Sequence, residues 1–200
     1  MSRPGRMVLA TNNPGKIREL GGLLAGSGWE ILPQGRFEVP EIEETGLSFV
    51  ENALLKARNA AAHSGLPAIA DDSGLEVDAL NGAPGIRSAR YAGDDADDQA
   101  NWRKLLTDLE GIPERDRTAR FQCLMVYLRH PRDPVPLIVQ GTWEGRILEA
   151  PRGANGFGYD PVFWVPDEGC SAAELPAERK NTLSHRGQAL RALVTALRSH

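Results

Sequence analysis

Carboxylates stand close together in two short segments of this sequence. Asp71 and Asp72 are adjacent at the end of the apolar run LPAIA, and Glu41, Glu43 and Glu44 share the segment EVPEIEETG. Adjacent carboxylates repel one another unless a cation or a proton lies beside them. Oxygen ligands favour a hard cation, and Mg²⁺ that also contacts phosphate is the usual case. These acids therefore predict a divalent-cation site, with two solvated acidic turns as the alternative.

The segment TNNPGK, residues 11–16, follows the short apolar run MVLA. Backbone N–H groups at the start of a helix bind phosphate readily. Lys16 adds a positive charge in a first turn where the helix dipole disfavours one. The segment is not a Walker A loop, because the first glycine and the Ser or Thr after the lysine are absent. It predicts a phosphate-binding turn, and a capped helix with a surface lysine is the alternative.

The segment GANGFGYDP, residues 153–161, combines three glycines with two aromatic residues. The glycines allow a close approach of the backbone and are expected to leave Phe157 and Tyr159 accessible. An aromatic side chain on such a loop is a candidate platform on which a nucleobase stacks. The alternative is a bulged hairpin that places Phe157 in the core.

The segment KNTLSHRG, residues 180–187, places cations at the start of the last predicted helix. With Ser184 as the N-cap, His185 and Arg186 fall in the first turn, where each cation costs ~0.3–1 kcal/mol. Residues that go against a local preference, as cations in a first helical turn do, often have a functional role. The donors of Lys180, His185 and Arg186 are predicted to converge on a carbonyl oxygen or a phosphate, and an accidental surface pair is the alternative.

The elements that must position these residues follow from periodicity and capping signals. One helix is predicted after the N-cap Asn13, and a second after a capping box of Ser48 and Glu51. A third is predicted over DDADDQANWRKLLTDLEG, which begins with acidic residues, and a fourth at the end of the chain. The strand LPAIA is predicted to end at Asp71, with a tight turn at Ser73 and Gly74. The remaining strands are MVLAT, EILPQ, GYDPVFWVP and an antiparallel hairpin of TARFQCLMVYLRH with PLIVQGTWEGRIL. This order predicts an α/β fold with a mixed sheet.

Composition limits the possible partners. The chain has 200 residues, which suits one domain or two lobes, and 41% hydrophobic with 25% charged residues is typical of a folded protein. A net charge of −4 argues against a nucleic-acid polymer as partner. The sequence shows no signal peptide and no apolar run of membrane-spanning length, and it has only two cysteines, so a cytoplasmic location is expected.

The ordered set of motifs carries a resemblance to a known family. TNNPGK, EETG, ENALLKA, ADDSGLEVD, GAPGIRSARYAG, GFGYDP and SHRGQAL occur in this order over essentially the whole chain. Each motif alone is weak, but the ordered set is specific, and the sequence resembles the inosine triphosphate pyrophosphatase family. Asn12 and Pro14 occupy variable places of the first motif.

The resemblance implies an activity and an architecture. It implies Mg²⁺-dependent hydrolysis of ITP, dITP or XTP to the monophosphate and pyrophosphate, which removes deaminated purines from the nucleotide pool. It also implies one domain over residues 1–200, with an elongated mixed sheet flanked by helices, two lobes around a central nucleotide-binding cleft, and a homodimer. A pyrophosphatase for another modified nucleoside triphosphate and a regulator that binds nucleotide without hydrolysis are the alternatives.

The resemblance also implies roles for particular residues. Asp72 would be the general base, and it would hold Mg²⁺ with Glu43 or Glu44. Lys16 and Lys56 would stabilise the triphosphate. The remaining substrate-binding residues would be Thr11, Asn12, Asn13, Pro14, Gly15, Ser73, Phe157, Gly158, Tyr159, Asp160, Lys180, His185 and Arg186.

Overall fold

The computed structural model describes residues 5–24 and 28–198. The predicted extension of the first helix over residues 25–27, and that of the last helix to residue 200, lie outside the described residues. Within the described ranges, no helix is both long enough and apolar enough to cross a membrane.

A seven-stranded sheet organises the chain, in the order β2-β1-β3-β4-β5-β6-β7. Strand β1 is parallel to β2 and β3, whereas β6 is antiparallel to β5 and β7. The predicted mixed sheet of an α/β protein is therefore confirmed. The strands are β1 (Gly5–Leu9), β2 (Trp29–Pro33), β3 (Ala68–Val77), β4 (Thr118–Leu128), β5 (Leu137–Ile147), β6 (Phe163–Val165) and β7 (Cys170–Ser171).

Side-chain pairs across β4 give the direction of the central strands. Gln122 bonds to Glu76 and to Thr142, while Arg120, two residues earlier, pairs with Asp78 and Glu144 beyond them. Residue numbers thus fall along β4 as they rise along both neighbours, so β4 is antiparallel to β3 and to β5. This confirms the hairpin that the sequence predicts.

The first two helices begin where the sequence predicts them, whereas the third begins at Asp98, four residues after the start of its predicted segment. Asn13 Oδ1 accepts the N–H groups of Gly15 and Lys16, and Ser48 Oγ accepts that of Glu51. Side-chain oxygens at these positions satisfy N–H groups that a helix start leaves without partners. The helices are α1 (Pro14–Leu24), α2 (Phe49–Ser64), α3 (Asp98–Asp108), α4 (Ala177–Leu183) and α5 (His185–Leu197).

The chain divides into two compact units. The first unit comprises the described parts of residues 1–72, 123–141 and 186–200. Its strands carry helices on both faces, because successive strand residues point to opposite sides. Met7 and Ile69 pack with Leu20 of α1 and Leu190 of α5, and neighbouring strand residues pack with α2 in a second cluster of Val8, Ala68, Ala70, Ala53, Ala57, Ala60 and Ala61.

The second unit comprises residues 73–122 and 142–185. Its core is richer in large side chains, and Phe121 lies in van der Waals range of both Trp143 and Phe163, with ring centroids 6.2 and 4.5 Å away. Leu105 of α3 and Leu75 of β3 complete the same buried cluster. This core packs α3 against the strands of the second unit.

Candidate active site

The adjacent acids Asp71 and Asp72 lie within strand β3 and not at its end. The strand runs from Ala68 to Val77, so the predicted strand end at Asp71 and the predicted turn at Ser73 and Gly74 are wrong. Successive side chains of a strand point to opposite faces. The two carboxylates therefore need not share one neighbour, and each has a different lysine as its partner.

Asp71 is a buried counter-ion. Lys16 Nζ lies 2.8 Å from Asp71 Oδ2, and Arg186 Nε lies 3.6 Å from the same oxygen. Burial by itself raises the pKa of Asp71, but the positive charges of Lys16, Arg186 and Lys56 outweigh it and hold this pKa well below its usual range. Asp71 is thus fixed as a carboxylate, and a permanently ionised group suits the role of a fixed charge.

Asp72 lies in a different electrostatic environment. Lys56 Nζ contacts Asp72 Oδ1 at 2.8 Å and Glu44 Oε1 at 2.9 Å, and Asn52 Nδ2 donates to Asp72 Oδ2 at 3.4 Å. Burial raises the pKa of Asp72, and the nearby charge of Glu44 raises it further, so the attraction of Lys56 does not bring it down. Asp72 is therefore the more basic carboxylate of the adjacent pair, as a proton acceptor requires.

The pKa of Lys56 is raised despite its burial. Burial alone would lower this pKa, but the carboxylates of Asp72, Asp71 and Glu44 outweigh the loss of solvent. Lys56 therefore keeps its positive charge throughout the neutral pH range. We call the six residues Lys16, Glu44, Lys56, Asp71, Asp72 and Arg186 the acid–lysine cluster.

Helix α2 and the loop before it bring Lys56 and Glu44 together. Asn52 and Lys56 are four residues apart and so lie on one face of the helix. Asn52 Oδ1 also accepts the N–H of Gly46 at 2.8 Å, and a Cβ at Gly46 would come within 2.6 Å of Glu51 Cβ. The loop packs this closely on α2 because Gly46 has no side chain, which holds Glu44 over Lys56.

The structure distinguishes between the two glutamates that the resemblance implies. Glu44 is half-buried and bonded to Lys56, whereas Glu43 is exposed. Asn52 is a further residue at this position that the predicted set does not include. Its spacing of four residues from Lys56 is the sequence signal that could have found it.

The donor set of Asp72 and Glu44 fits a divalent cation that is completed by substrate. Both carboxylates already converge on one positive group, the Lys56 ammonium, and offer oxygen ligands of the kind that Mg²⁺ prefers. Among the described residues, there is no group of three or more His, Cys, Asp or Glu that could hold a metal. Mg²⁺ is usually bound by one or two carboxylates together with phosphate oxygens and water, so two carboxylates suffice.

In the TNNPGK turn, the side chain of Asn13 caps the start of helix α1. Asn13 Oδ1 engages the N–H groups of Gly15 and Lys16, and the N–H of Asn13 donates to Thr11 Oγ1 at 3.2 Å. Asn12 and Pro14 are exposed. A phosphate at this turn would have to displace the Asn13 side chain to reach the N–H groups of Gly15 and Lys16.

In the second unit, Asp160 and Lys180 form a buried ion pair. Lys180 Nζ lies 2.6 Å from Asp160 Oδ2, with 7% and 3% of the two residues exposed. The N–H of Phe157 donates to the same carboxylate at 2.9 Å, and Lys180 Nζ lies 4.9 Å from the centre of the Phe157 ring. We call Phe157, Asp160 and Lys180 the aromatic–lysine cluster. It holds a half-buried aromatic ring against a fixed cation.

The glycines of GANGFGYDP permit close contacts within the protein itself. Gly156 has a φ of +78°, and a Cβ there would collide with the Asp160 carboxylate. Gly158 donates its N–H to Asp98 Oδ2 at 2.7 Å. The prediction that Tyr159 is accessible is wrong, because its side chain is buried in the core of the second unit.

The three predicted donor residues of KNTLSHRG contact different side chains. Lys180 pairs with Asp160, and Arg186 lies beside Asp71. The His185 ring is buried and stacks on Phe121, with centroids 4.7 Å apart and planes 12° apart. The reading of these cations as an accidental surface pair is wrong, since all three side chains are buried. Ser73, the remaining predicted contact, is half-buried in β3.

The mixed sheet and the two clusters define an α/β protein whose fixed lysines suit an anionic ligand. A family model described as the Ham1 family matches residues 7–196, so the chain belongs to this family.

Relatives in this family are similar over nearly their whole length. A dITP/XTP pyrophosphatase of Thioalkalivibrio sulfidiphilus is 64% identical over 192 residues, which cover 96% of this chain and 98% of the relative. One of Methylococcus capsulatus is 61% identical, with 97% and 96% covered. The solved structure of a HAM1 protein from Coxiella burnetii is 50% identical and has a TM-score of 0.92, with 98% of this chain and 100% of that chain covered. The resemblance found in the sequence is thereby confirmed.

Proposed function

We propose that this protein hydrolyses deaminated purine nucleoside triphosphates, namely ITP, dITP and XTP, to the monophosphate and pyrophosphate. Such an activity removes these nucleotides before they are incorporated into DNA or RNA. The observation that carries the proposal is the meeting of Asp72 and Glu44 at one half-buried lysine, Lys56. The relatives named dITP/XTP pyrophosphatase support the choice of substrate.

The lysines of the acid–lysine cluster provide the positive charge that the triphosphate needs. Negative charge builds up on the leaving pyrophosphate oxygens as the bond to the α-phosphorus breaks. Ammonium groups fixed beside those oxygens stabilise the developing charge without reorganising. Lys16 and Lys56 are held in place by Asp71 and by Asp72 with Glu44, so they are positioned before substrate binds.

Asp72 is the proposed general base. A water molecule attacks the α-phosphorus, its proton passes to the Asp72 carboxylate, and the bond to the bridging oxygen of pyrophosphate breaks. Burial raises the pKa of the Asp72 carboxyl, which suits a group that accepts a proton. The lowered pKa of Asp71 makes that neighbour unsuitable for the same task.

Mg²⁺, held by Asp72 and Glu44, would supply Lewis-acid stabilisation of phosphate oxygens and make a nearby water easier to deprotonate. Glu44 is preferred over Glu43 as a ligand because it lies beside Asp72 at Lys56. Thr11, Asn12 and Asn13 are proposed to contact the phosphates from the TNNPGK turn.

The base is proposed to stack on Phe157 and to be recognised by polar donors. Hypoxanthine and xanthine carry a 6-oxo acceptor where adenine carries a 6-amino donor. Donors of His185 and Arg186 would pair with the oxo group and leave the amino group of adenine unsatisfied. A polar mismatch of this kind can discriminate by ~10⁴ or more. The homodimer and the cytoplasmic location stay predictions.

A substrate panel tests the proposal directly. Purified protein is incubated with ITP, dITP, XTP, ATP, GTP and modified pyrimidine triphosphates, with Mg²⁺ and separately with a chelator. Release of pyrophosphate from ITP, dITP and XTP, with little from ATP and none under chelation, is the expected result. Release mainly from a pyrimidine triphosphate would favour a different substrate, and binding without release would favour a nucleotide-sensing regulator.

A further inference from the structure

The motif GAPGIRSARYAG, residues 82–93, has no role in the proposed chemistry, yet its centre is tightly built into the second unit. A 3₁₀ helix spans Gly85–Arg90, and Ser88 within it is buried. Ser88 Oγ donates to the carbonyl of Gly85 at 2.6 Å and accepts the N–H of Leu75 in β3 at 2.8 Å. The backbone of Ser88 is therefore anchored to the sheet by its own side chain.

The anchored carbonyl of Ser88 accepts a hydrogen bond from the loop of residues 153–159, which we call the aromatic loop. Tyr159 Oη donates to the Ser88 carbonyl oxygen at 2.8 Å, and Tyr159 is only 5% exposed. Burial raises the pKa of Tyr159 strongly, so its hydroxyl stays protonated and remains a donor. A buried carbonyl that loses its donor costs the free energy of an unmade hydrogen bond, which makes this bond hard to give up.

Helix α3 holds the same loop from its outer side. Asp97 is the N-cap of α3, and the next residue, Asp98, accepts the N–H of Gly158 at 2.7 Å. Asp98 is exposed, so this second bond competes with water and is the weaker of the two. Gly158 and Tyr159 directly follow Phe157, whose own N–H is bonded to Asp160.

We propose that Tyr159 is a positioning residue that holds the Phe157 ring in its binding orientation through the bond to Ser88, with Asp98 as an auxiliary anchor. The loop around Phe157 is rich in glycine and would lose more conformational entropy on binding if it were free. A fixed loop meets that cost during folding and not when substrate binds. This inference rests on the proposed function, because it assumes that Phe157 contacts the base.

The test compares two tyrosines that each lose one hydroxyl. Tyr159→Phe removes the donor to Ser88, and Tyr91→Phe removes the donor to Asp108, a 2.5 Å bond in the same unit but outside the loop. We expect Tyr159→Phe to raise KM for ITP about tenfold, the equivalent of one buried hydrogen bond, with kcat within about twofold. Tyr91→Phe should leave KM unchanged, and an equal rise in both variants would overturn the proposal.

A double-mutant cycle separates positioning from general destabilisation. If Tyr159 acts through the Phe157 ring, Tyr159→Phe should add little to the KM of Phe157→Ala, because the group that it positions is already absent. If the two substitutions raise KM by factors that multiply in the double variant, the proposal is contradicted. If Tyr159→Phe does not fold, Asp98→Ala is compared with the control Asp95→Ala. We expect KM for ITP to rise in Asp98→Ala, by less than tenfold, and to stay unchanged in Asp95→Ala.

The activity of the wild-type protein separates a failure of the proposed function from a failure of the positioning role of Tyr159. Absence of pyrophosphate release from ITP, dITP and XTP would overturn the proposed function and this inference with it. Normal hydrolysis by the wild type, together with an unchanged KM in Tyr159→Phe and in Asp98→Ala, would overturn this inference alone.

Discussion

The acid–lysine cluster of the first unit and the aromatic–lysine cluster of the second both oppose carboxylates to ammonium groups, but they distribute the charges differently. In the first, Lys56 is shared by Asp72 and Glu44 while Asp71 pairs with Lys16 and Arg186. In the second, Lys180 and Asp160 form one closely matched buried pair.

The difference has a consequence for the titration of the acids. Within the first cluster, neighbouring carboxylates are driven in opposite directions, with the pKa of Asp72 raised and that of Asp71 lowered. Such separated pKa values are typical of sites that move protons. A single pair bonded also to a backbone N–H, as at Asp160, is suited to fixing geometry. The first cluster should therefore govern kcat, and the second should govern binding and stability.

Asp72→Asn should give the largest change. The side chain keeps its shape but can no longer accept the proton, so we expect kcat to fall by ~10²–10⁴-fold. Folding should be retained, because a raised pKa means that ionisation of Asp72 disfavours the folded state above the pKa of the unfolded chain. Steady-state kinetics and a thermal melt measure both effects. Asp78→Asn, an exposed acid just beyond β3, is the matched control, and retention of most of the wild-type kcat in Asp72→Asn would refute the assignment.

Lys180→Met should show that the second cluster acts on stability. It leaves the Asp160 carboxylate buried without its cation, and we expect the free energy of unfolding to fall by ~3–5 kcal/mol. Replacing both partners, as Lys180→Met with Asp160→Asn, should cost less than Lys180→Met alone, because no unpaired charge remains. Denaturant unfolding at neutral pH measures the series, and a double variant less stable than Lys180→Met would contradict this account.

Asp78→Asn should have the smallest effect and a distinct pH dependence. Hydrogen bonds from Arg120 and Thr118 lower the pKa of Asp78 to about 2. A lowered pKa stabilises the folded state above the unfolded pKa of about 3.9, and this contribution is lost as pH falls towards the folded value. At pH 7 the exposed ion pair should contribute ~0.2–1 kcal/mol. Thermal melts of the variant and the wild type should differ slightly at pH 7 and coincide near pH 2.

Local signals allowed much of the fold to be predicted. Asn13 and Ser48 cap their helices through contacts of two or three residues, which a sequence shows directly. The strand β3 was predicted too short because carboxylates are unfavourable in buried strands. Their partners Lys16 and Lys56 are distant in sequence, and no local pattern reveals that they neutralise Asp71 and Asp72.

The aromatic loop is a second place where the local sequence does not show which residue has which surroundings. Phe157 and Tyr159 are both aromatic residues beside glycines, and the sequence offers no means of separating them. The structure separates them through the Ser88 carbonyl, 71 residues earlier in the chain, which accepts a hydrogen bond from the Tyr159 hydroxyl. Likewise, Glu43 and Glu44 are equivalent in the sequence, and the packing of Gly46 on α2 is what gives Glu44 its place.

The alternation of side chains along β3 makes the assignment of its two acids sensitive to strand length. Inserting one residue between Ala68 and Asp71 would move Asp71 into the place of Asp72, and deleting one would move Asp72 into the place of Asp71. In either case one of the two lysines, Lys16 or Lys56, would lose its aspartate partner in the strand. The number of residues that precede Asp71 in β3 is therefore as important to this cluster as their types.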